Sequence, residues 1–142
     1  MNKIISLLVT LLCAVSVVSA QTYDKDTWKS AKKTAKVLEK EGWVLKDVGD
    51  IAMHLYAFQD AVNQGKYLSV VEEATSSMIH VAEDMALANA VEAAVKQSSG
   101  HDVDDIDKYM RHSFTLLKFG HDGNTTCRVY YLLDKKSIVC HQ

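Results

Sequence analysis

Proline is absent from all 142 residues, glycine occurs 6 times and cysteine 3 times, and aromatic residues make up only 8% of the chain. Without proline there is no proline-rich linker, and no repeat or low-complexity tract divides the sequence. Charge of one sign is scarce as well, with 16 Lys and Arg against 18 Asp and Glu. A strongly basic nucleic-acid binder is thereby excluded. The one long apolar run, Ile4 to Val18, is too short for a comfortable membrane span and has no positively charged stop behind it. No nucleophile elbow and no oxyanion-forming glycine loop is found. What remains, 48% apolar and 24% charged residues, is the composition of an ordinary folded globule.

The run from Ile4 to Val18 follows a single lysine and ends on Val18-Ser19-Ala20, the layout of an export signal cleaved near Ala20. Cys13 lacks the small preceding residues of a lipid-attachment site and belongs to the leader. The expected organisation is a signal peptide over 1–20 and one domain over 21–142, a length that sustains one core. Removing Lys3, the one charged side chain of the leader, takes the chain from about −2 to about −3. The expected location is periplasmic or secreted, with no transmembrane segment in the mature chain and no nucleic acid as partner.

Helical periodicity comes next. Trp28, Ala31, Ala35 and Leu38 recur at spacings of three and four, an apolar stripe for a first helix capped by Asp24 or Asp26 and closed at Gly42. Lys29, Lys33, Lys36 and Lys40 fall on its far side, Lys32 flanks the stripe, and Glu39 and Glu41 break the charge run, the pattern of a solvated face. After a link from Gly42 to Gly49, Ile51, Leu55, Phe58 and Val62 define a second helix between Asp50 and Gly65. Residues 77–98 are alanine-rich with no glycine or proline and predict the longest helix, suited to lying on a sheet. Val103, Ile106 and Met110 predict a short helix or capped turn.

Strands are marked by alternation and branched residues: 66–76, then 113–119, 125–133 and 137–141. Asp122-Gly123 is a hairpin signal. Read as a two-residue loop, it sets Lys118 opposite Cys127 and Leu116 opposite Val129. Both faces of this hairpin are partly apolar, so one should bear helices and the other meet an unplaced segment or a partner. The predicted fold is α+β, an antiparallel sheet of about four strands with three main helices packed mostly on one face.

Few residues suggest chemistry. His101-Asp102 and His121-Asp122 could hold a divalent ion, but both sit at turn positions that favour Asp and His anyway. Asp102, Asp104, Asp105 and Asp107 lack the glycine and glutamate of a calcium loop and read as helix capping. His80 lies one turn from Glu83 and Asp84, while His54, His112 and His141 are scattered. Asn124-Thr125-Thr126 matches the glycosylation acceptor pattern. Cys127 and Cys140 share a face of the predicted terminal hairpin and are the candidates for one disulfide. No catalytic, metal or cofactor residues are assigned.

The signal ending VSA, then AKKTAKVLEKEGW, KYLSVVEEAT and MIHVAEDMALANA, resemble small exported envelope proteins of Gram-negative gut bacteria. The resemblance implies a periplasmic or outer-membrane-associated α+β domain and carries no catalytic residues. The expectation is a non-enzymatic envelope domain that binds a protein, another envelope component or itself through the terminal hairpin. The alternative is a small hydrolase or small-ligand-binding protein with a pocket between the 77–98 helix and the sheet.

Overall fold

The computed structural model describes residues 24 to 138; the expected signal peptide over 1–20, Cys140 and His141 lie outside them. The first helix, α1 (Lys25–Lys40), starts where the Asp24 carboxylate accepts from the Asp26 amide and the Thr27 hydroxyl, satisfying donors that the first turn leaves without partners. Its buried residues are Thr27, Ala31, Ala35 and Leu38. The second, α2 (Ile51–Asn63), is capped by Asp50, whose carboxylate accepts from the Met53 amide at 2.8 Å.

Between them, the expected link contains a strand, β1 (Trp43–Leu45), that pairs with the chain from Leu116 to Lys118. Three residues are too few to display a period, so only the partner strand makes this segment extended. Then follow β2 (Tyr67–Ser76), α3 (Ile79–Gln97), the one-turn α4 (Val103–Ile106), a 3-10 turn Asp107–Tyr109, β3 (Met110–Phe119), β4 (Thr125–Asp134) and a 3-10 turn Lys135–Ile138. The sheet is antiparallel throughout, in the order β1-β3-β4-β2. The α+β class is therefore as expected, with four helices instead of three because α4 is regular.

Helices cover both faces of this sheet, not mostly one. On one face α3 lays Ala82, Ala86, Ala90 and Ala94, all fully buried, against Val70, Leu117, Cys127, Val129 and Leu133. Side chains this small let the helix axis approach the strands closely at native packing density. On the other face α1 and α2 close over Phe114, Leu116, Tyr130 and Leu132. There Phe114 stacks on Tyr130 at 4.0 Å, and Phe58 meets both rings edge-on. The apolar hairpin face proposed as open to a partner is thus beneath helices.

The hairpin loop explains the sorting. Gly120 donates to the Asn124 carbonyl at 2.8 Å, and Gly123 takes a φ of 86°. The loop is therefore three residues, His121 to Gly123, with the left-handed glycine last. Relative to a two-residue loop the register moves by one: Leu117 opposes Cys127 and Leu116 opposes Arg128. A slip of one residue exchanges the faces, which sends Leu117 to α3 and Leu116 to α1 and α2.

Of the predicted last strand, 137–141, the described residues 137 and 138 belong to the 3-10 turn and do not extend this meander. Both edges of β4 are occupied, by β3 and β2, and the chain instead turns so that Ser99 donates to the Ser137 and Ile138 carbonyls. Cys127 is a free thiol with Ala74 and Leu117 as its cross-strand neighbours, and Cys140 lies outside the described residues.

Candidate functional site

A cleft of about 250 Å³ opens between α3 and the sheet, on the side where the alternative reading expected a pocket. Its position follows from a bulge. The pairing of β3 with β4 shifts between His112 and Phe114, leaving Ser113 as the extra residue. Were Ser113 paired in regular register instead, alternation would send His112 to the α1 and α2 side. With the bulge, His112 opposes Tyr131 on the α3 side, their rings 5.2 Å apart.

The cleft wall is then assembled from the link after β1. The Lys46 amide donates to the Thr115 carbonyl at 3.0 Å, and the Thr115 amide donates to the Asp47 carboxylate at 2.7 Å. Asp47 so supplies the acceptor that β1 would have offered had it run further, and the backbone at the end of the short strand stays paired. The Lys46 ammonium reaches across to the Glu83 carboxylate of α3. This contact holds the Lys46 pKa above the ordinary lysine value.

Inside, His112 Nε2 and Thr115 Oγ1 are 2.7 Å apart. The pair has the spacing of a hydroxyl and a base, but Thr115 is only 5% exposed, which leaves its hydroxyl little surface for a reacting carbonyl. Cys127 lies beneath, fully buried. Burial, reinforced by the negative charge of Glu83 and opposed by Lys46, pushes its thiol pKa up to about 11. A thiol so shifted stays protonated near neutral pH and is a poor nucleophile. Burial also raises the Tyr131 phenol, with Asp107 adding to it. Asp84 is exposed at the rim.

Other sequence candidates fall elsewhere. Asp102 caps α4 by accepting from the Asp105 amide at 3.0 Å. Asp122 accepts from the backbone and side-chain amides of Asn124, which hold its carboxyl below the ordinary value. His54 meets the Val48 carbonyl through Nε2 at 2.7 Å, and His80 is exposed on α3. Among the described residues no three His, Cys, Asp or Glu side chains converge as a metal site would require. Lys46, Asp47 and Thr115 were not legible as site residues, because the link that carries two of them has no pattern of its own. His112 was visible only as one histidine among several. Its place in the cleft depends on the bulge.

Compared with known proteins, the chain matches no family model, no curated protein and no solved structure. Among the described residues no helix is long and apolar enough to cross a membrane.

Proposed function

We propose that the chain is a non-enzymatic exported domain of the cell envelope and that the cleft between α3 and the sheet receives a small cationic group, a primary amine or the basic side chain of a protein partner. The observation that carries this reading is the charge of the lining: Asp47, Glu83 and Asp84 supply three carboxylates against the single ammonium of Lys46. A cavity of this size is below the usual range for a drug-sized ligand and suits one side chain. The internal pairings of Lys46 with Glu83, Asp47 with the Thr115 amide and His112 with the Thr115 hydroxyl favour a preorganised recognition surface over proton transfer. The leader over residues 1 to 20 and the resemblance to exported envelope proteins support the location.

Titration of the purified exported chain with methylamine, and with short lysine-containing and norleucine-containing peptides, tests the proposal. Saturable NMR shifts at His112 and Asp84 are expected with the amine and the lysine peptide alone, and Asp84→Asn should weaken them about three- to tenfold. Absence of a saturable response, or equal binding of the norleucine peptide, would remove the reading.

A second reading, a small hydrolase, draws on the contact between His112 and Thr115. Turnover of a panel of activated esters that disappears in Thr115→Val would establish it.

A further inference from the structure

The six lysines of α1 pose a separate question from the cleft. At about 100° per residue, Lys25, Lys29, Lys32, Lys33, Lys36 and Lys40 all fall within an arc of about 100°, beginning on the flank next to Trp28. All six are exposed. Among the described residues none of them forms an ion pair, whereas Lys46, Lys96, Lys108 and Arg128 each do. Lys32 instead lies over the Trp28 ring, 6.0 Å from its centroid.

Apolar surface adjoins the arc. The indole of Trp28 meets Tyr56 edge-on at 5.7 Å, and together with Met53 and Ala57 these rings line an open concavity almost free of polar atoms. Met53 is 56% exposed. Next to it Trp28, Lys32 and Lys36 line a second concavity whose acids are Glu39 and Asp50. An indole, a phenol and a thioether lining one concavity, with long aliphatic lysine stems beside them, is the arrangement of a surface at the boundary between acyl chains and headgroups.

From this we infer that the face formed by α1 and α2 docks on an anionic phospholipid surface, Trp28 and Met53 entering the headgroup boundary and the lysine arc facing the phosphates. Charge complementarity selects this occupant. The basic side chains of α1 are all lysine, compact mobile charges suited to a fluid array of headgroups, and none is an arginine, whose rigid fork suits a fixed carboxylate partner. The chain as a whole carries a net charge of −2, so this positive face orients the molecule toward an anionic plane. The cleft lies on the opposite side of the sheet and would stay open in the docked state.

The test uses the exported chain and vesicles of phosphatidylcholine, alone or with about a third phosphatidylglycerol. Trp43 is 5% exposed in the core, so a blue shift of tryptophan emission on adding vesicles reports Trp28. Expected are a blue shift and sedimentation with the anionic vesicles, at least about tenfold weaker with the neutral ones and in raised salt. The double variant Lys32→Glu, Lys36→Glu should lose about tenfold or more, and Trp28→Ala should bind less while keeping its salt dependence. Both alter exposed or half-exposed positions, and an unchanged melting curve confirms that they fold. Equal binding to both vesicle types, or no binding to either, overturns the inference. Retention on soluble polyphosphate with no vesicle response overturns it too, since charge alone would then be responsible.

Discussion

His112 and Tyr131 face one another across β3 and β4 with their rings 5.2 Å apart, and they share a face because Ser113 is bulged out of the register. A bulge beside a cleft commonly re-aims one side chain. Here it turns an imidazole from the aromatic core toward the polar groups along α3. Deleting Ser113 should straighten the strand and leave His112 on the α3 side, because the pairs His112 with Tyr131 and Phe114 with Tyr130 then become consecutive. The expected cost is about 1 kcal/mol or less in urea unfolding, since no paired residue changes face. The NMR contact between His112 and Tyr131 should persist, and its loss would show that the bulge is more than one extra residue.

The ion pair of Lys46 and Glu83 joins the link after β1 to α3, yet its side chains are 50% and 24% exposed. Screening by solvent should therefore limit the cost of Glu83→Gln to below about 1 kcal/mol. A larger loss of amine binding than of stability is expected, measured by titration and melting of the same variant.

Alkaline pH should destabilise the fold. Cys127, Lys46 and Tyr131 all have folded pKa values above their ordinary ones. Their contributions are complete below the unfolded values and are lost as the pH rises through the folded values. For Cys127 that window runs from 9.0 to about 11, because the unfolded thiol ionises first and draws the equilibrium toward it. Cys127→Ala should lower stability at neutral pH and flatten the decline across this window. An unchanged slope would assign the decline to the other two groups.

Modification should report the same burial. Alkylation at neutral pH, mapped by peptide mass, is expected to spare Cys127 until denaturant is added.

The alanine stripe of α3 should resist enlargement. Ala86 is fully buried against the sheet, so Ala86→Leu is expected to cost about 1–3 kcal/mol through overpacking. Ala88→Leu, on the exposed side of the same helix, should change stability by less than about 0.5 kcal/mol. On the other face Phe114→Ala, which removes the ring stacked on Tyr130, should cost about 3–5 kcal/mol. Chemical denaturation of the three variants checks the order.

Local chemistry alone determined where most elements begin and end. Asp24 and Asp50 cap their helices, Gly42 and Gly65 take positive φ just beyond them, and β2 follows the alternation of residues 67 to 76, since each depends on neighbours a few residues away. Even so, Thr27 is buried in α1 and Trp28 only partly, because the packing of α2 rather than periodicity decides which flank of a stripe is covered. Tertiary structure decided the rest. Three residues from Trp43 become a strand only because β3 offers an edge, and residues 135 to 138 cannot join β4 because β2 and β3 already flank it. A three-residue loop and a bulge at Ser113, each a one-residue matter, assign every side chain of β3 to one face or the other. Strand pairing exchanges faces with each single step, so the sites on the two sides of this sheet are set by register, a property of two strands together that neither strand carries alone.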